Sequence, residues 1–566
     1  MLPLLAAVLF ALAPQARTGS VEGVVVRVGT AEPILKAIVE ISGGNGTRFA
    51  VTTGSDGRFE FKNLNPGSYK LTVSKNGYLN GAYGQRGPNG QPVPLKLEAS
   101  QSIKDLRVTI VPTGAISGRV YDISGEPLAN VSVQALKYTY SEEAGRALTA
   151  IKSVLSDDRG EYRLFWLPPG KYYISATPQG ARTDGFVYVS NGGGAHLQGF
   201  VLDSRGLAIE KGDGTIEKLG EAYVPIYYPG ATDGQDAQLI DLGPAAEVRA
   251  DFSLPRVTAR KVRGVVIDGA TGQPTNSASV MLISRNKGLR SQFPLIPSSD
   301  GTFEISDVLP GSYVLSATSR VVDRTTRETS KVAGAQIPIV VANTDVDRLS
   351  LVMSSGVDVS GQLITDGPPI QRDNRDGNPR PAVTLKNDLQ GLPLVNNQVS
   401  EFTSDTQFVF NRVIEGDYHV ELTYVPPGTY IKSVRFGGAD ALTGSIHIEP
   451  GMNGSFEIVL GAGSGAVDGT AVNASGERVG NITVALIPAA SQRQDLYKNA
   501  TTDETGHFHF QNVPPGDYSV LAWEDIENGL WRDPDFIRGS KNSGKSIHVG
   551  EGAQANVEVT AIPFAL

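Results

Sequence analysis

The stretch "HFHFQNVPPGDYSV", from His507 to Val520, holds the residues whose types and spacing come closest to chemistry. Histidines at i and i+2 share one face of a strand and could grip a metal, but a zinc site needs at least a third protein ligand. Phe508 and Phe510 take the opposite, core-facing positions, so the pair reads as scaffold and no metal or other cofactor is expected. "HVGE", His548 to Glu551, has the H-x-x-E of a zinc carboxypeptidase, which also requires a histidine well downstream. Fifteen residues follow, and none is histidine. "GAGSGA" from Gly461 fits a loose dinucleotide fingerprint, yet it joins two strands and offers no helix N-terminus to a phosphate. "QRDNRDGNP" around Asp376 has the composition of a calcium loop, with Arg372 where the first ligand oxygen belongs. The chain has no cysteine, which removes disulfides, thiolate metal sites and cysteine nucleophiles. Paired carboxylates stay open, because acidic turns recur throughout. A glycan-cleaving enzyme would need two of them flanking one aromatic-lined cleft. No complete catalytic constellation is present, and the expectation is a protein that is not an enzyme.

The aromatics offer a different chemistry. Exposed Trp and Tyr rings can stack on the C–H face of a pyranose and so bind carbohydrate. Phe165 and Trp166 stand where a related stretch has Lys62 and Asn63, after a strand already filled by Tyr162 and Leu164. Trp523 lies out of phase with Tyr518, Val520 and Ala522, and Trp531 follows. Tyr223, Tyr227 and Tyr228 sit at the end of an insertion spanning about residues 178–222. These seven are the candidate carbohydrate-binding residues. The competing reading is that they pack domains against one another.

The elements that must position these residues repeat. "FEFKNLNPGSYKL", "YRLFWLPPGKYYI", "FEISDVLPGSYVL", "FVFNRVIEGDYHV" and "HFHFQNVPPGDYSV" share a corner glycine: Gly67, Gly170, Gly311, Gly416 and Gly516. The spacing is about 100 residues, with one gap near 140, which fits an array of whole domains and not a short-period solenoid. Each unit opens with a glycine inside a short apolar strand, at Gly23, Gly118, Gly264, Gly361 and Gly469. Each closes with an alternating strand, such as Leu106, Val108 and Ile110. The boundaries expected are a signal peptide over 1–16 and units over 17–112, 113–256, 257–354, 355–462 and 463–566, the fourth divergent.

Alternation before each corner has the period of a half-buried strand. Pro-Gly at the corner predicts a type II turn, and the tyrosine two residues on can return its hydroxyl to nearby backbone. "SEEAGRALTAIKSVL" has helical spacing but falls where a strand belongs, so a loop and strand are expected. About seven short strands per unit read as a Greek-key β-sandwich of two antiparallel sheets. The fold class is therefore all-β: five tandem Greek-key β-sandwich domains.

Composition narrows the partners. The 566 residues carry Gly 65, Pro 34 and 40% hydrophobic content, a turn-dense globular profile. A net charge of -9 with no basic run argues against nucleic acid and anionic membrane. Leu2 to Ala13 has the length of a signal-peptide core and is too short to span a bilayer, although no Lys or Arg precedes Arg17. A buried first strand is the alternative. Export to the periplasm, outer surface or medium is expected, with no transmembrane segment in the mature chain.

The opening "GxV", "GEPLANVSV" from Gly125, the acidic turns "SDGRF" and "DETGHF", and the L-P-P-G-x-Y corner together resemble the carboxypeptidase regulatory-like domain. The similarity is good in units one, two, three and five. It implies a transthyretin-like, carbohydrate-binding-like sandwich in a secreted multi-domain bacterial protein, and says little about ligand. The expected function is an exported, non-catalytic binding or structural protein whose ligand class is polysaccharide. The alternative is a spacer or adhesion rod that binds cell-surface protein partners.

Overall fold

The computed structural model describes residues 18–564, apart from 45, 142–144, 179–195, 198–199, 204–205, 211–215, 218–220, 286–294, 323–328, 368–380, 388–397, 427, 491 and 541–542. The expected signal peptide and the Asp376 loop lie outside the described residues, as does most of the insertion.

Five hydrophobic cores follow one another along the chain, each built from the two sheets of a β-sandwich. The fifth shows the pattern. Its opening strand Gly465–Val472 lies between the corner strand His507–Val513, which is antiparallel to it, and the closing strand Gln554–Ile562, which is parallel. The second sheet orders Lys498–Thr501, Thr483–Pro488, Gly516–Trp523 and Lys545–Val549 side by side, all antiparallel. Every unit repeats this parallel pairing of opening and closing strands. The expectation of purely antiparallel sheets is thus corrected. Period-2 alternation tells which face of a strand is buried and is silent on the direction of its neighbour.

The opening glycine has a steric cause. A Cβ at Gly469 would stand 2.3 Å from Phe508 Cζ and 2.5 Å from the Val557 carbonyl oxygen. The ring tip of the first aromatic of the corner strand sits against the backbone of the opening strand, and only hydrogen leaves room. Phe59, Phe303 and Phe408 occupy the same place over Gly23, Gly264 and Gly361.

The corner differs from the expected type II turn. Gly170, Gly416 and Gly516 have φ of 146°, 159° and 155°, far from the +80° such a turn requires. Each instead begins the following strand and pairs across it, Gly516 with Val549 and Gly170 with Leu242. The reversal begins earlier, at a β-bulge against the opening strand. The bulged residue is left-handed: Asn63 at φ 57°, Trp166 at 59°, Arg412 at 57° and Asn512 at 53°. After it, the corner tyrosine closes the bend. Tyr69, Tyr172, Tyr313, Tyr418 and Tyr518 each donate their hydroxyl to the backbone oxygen four residues before, at 2.6 to 2.9 Å.

Successive units are joined by a few residues, as between Ile110 and Gly114 or Ala462 and Gly465. The "GAGSGA" segment is one of these strand-to-strand joints. Ile414, where the second and fifth corners have proline, is buried against Met281, Ile283 and Val314 on the outer face of the third unit. The divergence of the fourth corner is therefore an inter-unit contact. Asn512, at the bulge of the fifth unit, accepts a 2.9 Å hydrogen bond from the Gly428 amide of the fourth.

The fifth unit also meets the first two. The segment after its tyrosine strand ends in a short helix, Pro534–Ser540. Arg86 of the first unit pairs with Glu524, and Asn89 donates two hydrogen bonds to Asp525. In the second unit, Lys137 pairs with Glu527, while Tyr140 and Arg146 converge on Asp533. Gly529 passes so close to Tyr140 that a Cβ would stand 2.6 Å from its carbonyl oxygen. Lys96 with Glu504 adds a further pair between first and fifth units. Every charge on the first two units in this set is positive, and every one on the fifth is negative.

Candidate functional site

The expected aromatic residues do not form one surface. Trp523 and Trp531 are 3% and 6% exposed and pack with Tyr497, Leu521 and Ile526 in a small second core of the fifth unit. This core covers the outer face of the sheet, which is why Thr483–Pro488 is buried on both sides. Tyr227 is buried in the second unit, and burial pushes its phenol up to about 12. Tyr228 packs edge-on to Phe252, with ring centroids 6.0 Å apart. The Tyr223 hydroxyl accepts a 2.5 Å hydrogen bond from Arg256, whose guanidinium lies 4.8 Å from the ring. That contact ties the end of the insertion to the strand Arg256–Thr258 that leads into the third unit. These five aromatics serve packing in this structure.

Phe165 and Trp166 are different. They end the corner strand Glu161–Leu167 of the second unit, and that strand is an edge of its sheet. Leu164 and Leu167 turn inward to the core, and the bulge between Phe165 and Leu167 throws both rings outward. Phe165 is 39% and Trp166 53% exposed. Their centroids are 5.1 Å apart with planes at 83°, so one ring presents a face where the other presents an edge. Lys152 comes from the preceding strand Gly145–Leu155, a stretch with helical spacing that folds as a strand. Its ammonium stands 4.5 Å from the Phe165 centroid and 5.9 Å from that of Trp166. The sequence reading missed Lys152. The signal available was its alternation with Val154, which places both side chains between the two edge strands.

The carboxylates near this corner are held by arginines. Glu247 accepts from Arg163 and Ser117, each at 3.1 Å, and these hydrogen bonds, Arg163 first, hold its carboxyl below the usual range. Glu161 is bound by Arg119. A general acid for glycoside cleavage needs the opposite shift.

The histidine pair finds its partner in Asp468 on the opening strand. His509 Nδ1 lies 2.8 Å and His507 Nε2 3.5 Å from Asp468 Oδ1, while Gln554 donates to Oδ2 at 2.6 Å. Both carboxylate oxygens are engaged, Gln554 acting most strongly to keep this acid below its usual range. Among the described residues no group of three His, Cys, Asp or Glu is placed to hold a metal ion. Also among them, no helix is long and apolar enough to cross a membrane.

Comparison with known proteins gives the fold its relatives. The family model of the carboxypeptidase regulatory-like domain matches residues 20–100, 115–203 and 466–527. Colossin-A of Dictyostelium discoideum is 24% identical over a 259-residue alignment that covers 41% of this chain and 2% of that protein. The chain thus spans a small fraction of the length of this curated relative. Among solved structures, a streptococcal ancillary pilin is 9% identical at a TM-score of 0.22, with 59% of this chain and 99% of that one covered. The Bacillus anthracis TIE protein is 14% identical at a TM-score of 0.16, with 60% and 51% covered. The three matched segments fall on the first, second and fifth cores, and the chain is an all-β multidomain protein that carries carboxypeptidase regulatory-like domains.

Proposed function

We propose that this is an exported, non-catalytic binding protein whose ligand is a polysaccharide, held on the Phe165–Trp166 platform of the second unit. One observation carries the reading. The left-handed bulge position costs a residue with a bulky side chain about 1–2 kcal/mol, and among residues with a Cβ asparagine meets that cost best. The first and fifth units place asparagine there, at Asn63 and Asn512. The second unit places a tryptophan and leaves it exposed, so burial does not offset the strain. An indole kept in solvent at a strained position supports a surface contact. Its flat face suits a pyranose ring, and Phe165 braces it edge-on.

The test uses the residue that the first and fifth units place there. Trp166→Asn is expected to keep or slightly raise stability while abolishing retention of the protein on immobilised polysaccharide. Unchanged retention would place the ligand elsewhere. A second reading, a structural or adhesive role through protein partners, is favoured by the number of aromatics and charges committed to contacts within and between units. Failure of the whole chain to bind any of a broad glycan panel would leave that reading in place.

A further inference from the structure

We infer that the polysaccharide is acidic, a uronate-bearing chain whose carboxylate is met by Lys152. This rests on the polysaccharide reading of the Phe165–Trp166 platform. The ammonium stands over both rings, closer to Phe165, and so within reach of the rim of whatever stacks on the indole. The C5 substituent of a stacked pyranose lies at that rim, near the plane of the sugar. In a neutral hexose it is a hydroxymethyl group. In a uronic acid it is a carboxylate, the natural partner of an ammonium.

The other charges on the two strands are already matched. Arg163 is paired with Glu247, Glu161 with Arg119, and Arg146 reaches Asp533 of the fifth unit. Lys152 has a ring beneath it and no carboxylate partner among the described residues. Its contact with Phe165 holds it in place, and its three donors make no hydrogen bond among the described residues. The chain as a whole carries -9, which repels a polyanion at a distance. At physiological ionic strength that repulsion is screened beyond about 8 Å, so the charge at the contact decides.

The experiment compares polygalacturonate, alginate and hyaluronate with the same polymers after methyl esterification of their carboxylates, using the full chain. The esterified forms keep the rings and lose the charge. At least one free acid is expected to bind on the order of tenfold more tightly than its ester, a preference that fades with added salt. Lys152→Gln should abolish the preference, bringing the free acid down to the level of its ester, whereas Trp166→Asn should abolish binding of both. Equal binding of acid and ester, or a preference that survives Lys152→Gln, overturns the inference and leaves the platform intact. Retention of all forms by Trp166→Asn overturns the platform itself. No binding to any free acid, or equal binding to poly-glutamate, also overturns the inference, the latter assigning the surface to an acidic peptide.

Discussion

The Lys137 ammonium lies 2.5 Å from Glu527 Oε1, joining the second unit to the fifth across 390 positions of sequence. Lys137 is only 10% exposed at its side chain and also sits 4.7 Å from the ring of Tyr172, so the pair is shielded on one side. With Arg86–Glu524, Lys96–Glu504 and Arg146–Asp533, it forms a contact in which one partner supplies only cations and the other only anions. Such a contact is sensitive to salt. Raising NaCl from 0.05 to about 0.5 M is expected to increase the radius of gyration in small-angle scattering. Lys137→Ala should produce part of the same expansion at low salt. An unchanged radius in both would show that the contact does not hold the units together.

The fourth corner should be separable from its own fold. Ile414→Ala removes apolar atoms that are buried against Met281, Ile283 and Val314, at a cost of about 2–4 kcal/mol to the contact between third and fourth units. The Tyr418 hydroxyl donates to the backbone carbonyl of residue 414, which the alanine keeps. Proteolytic cleavage near Gly356 is the measurement, and it is expected to accelerate while the circular dichroism of the chain stays as it was.

Opening glycines should be intolerant of any side chain. Gly469→Ala forces a methyl group into Phe508 and the Val557 carbonyl oxygen, and is expected to cost about 2–3 kcal/mol or more. The control is Gly476→Ala, where nothing lies within 4 Å and only the φ of 78° is at stake, about 1 kcal/mol. Calorimetry would resolve the two, since a multidomain chain melts as a sum of transitions and the fifth unit's should move alone.

Acid should weaken the third unit through Glu304. Hydrogen bonds from Lys261 and then Arg263 bring its carboxyl down to about 2. A depressed acid stabilises the folded state above its unfolded pKa, and the contribution is lost as pH falls from about 4.5 toward 2. Glu304→Gln is expected to flatten the pH dependence of unfolding across that window. The effect is modest, because the group is largely open to solvent.

What was legible in the sequence is what the backbone makes obligatory. Gly469 must be glycine because Phe508 lies on it, and Tyr518 must carry a hydroxyl to satisfy the Pro514 carbonyl, so both recur in the same order in every unit. Contacts between units obey no such period. Met281 and Ile283 interrupt a half-buried alternation, and the run "VMLI" records a second covered face without naming Ile414 as its cover. Among the aromatics, type alone did not separate Trp166 from Trp523. The difference lies in the bulge, which turns one outward, and in the segment after Trp523, which folds back over the other. Lys152 escaped because its neighbours in space come from across a corner.

The parallel pairing of opening and closing strands has a mechanical meaning. The chain enters a unit at the start of one strand, such as Gly19, and leaves it at the end of the neighbouring parallel strand, at Ile110. A pull on those two points drags the strands past each other along their length. The bonds of the ladder, from Ser20 beside Ser102 to Arg27 beside Ile110, then bear the load together and do not open one at a time. Resistance to force is set by the rate of unfolding under load. Five units carry such a ladder, and pulling the chain by its ends is expected to break them in separate steps.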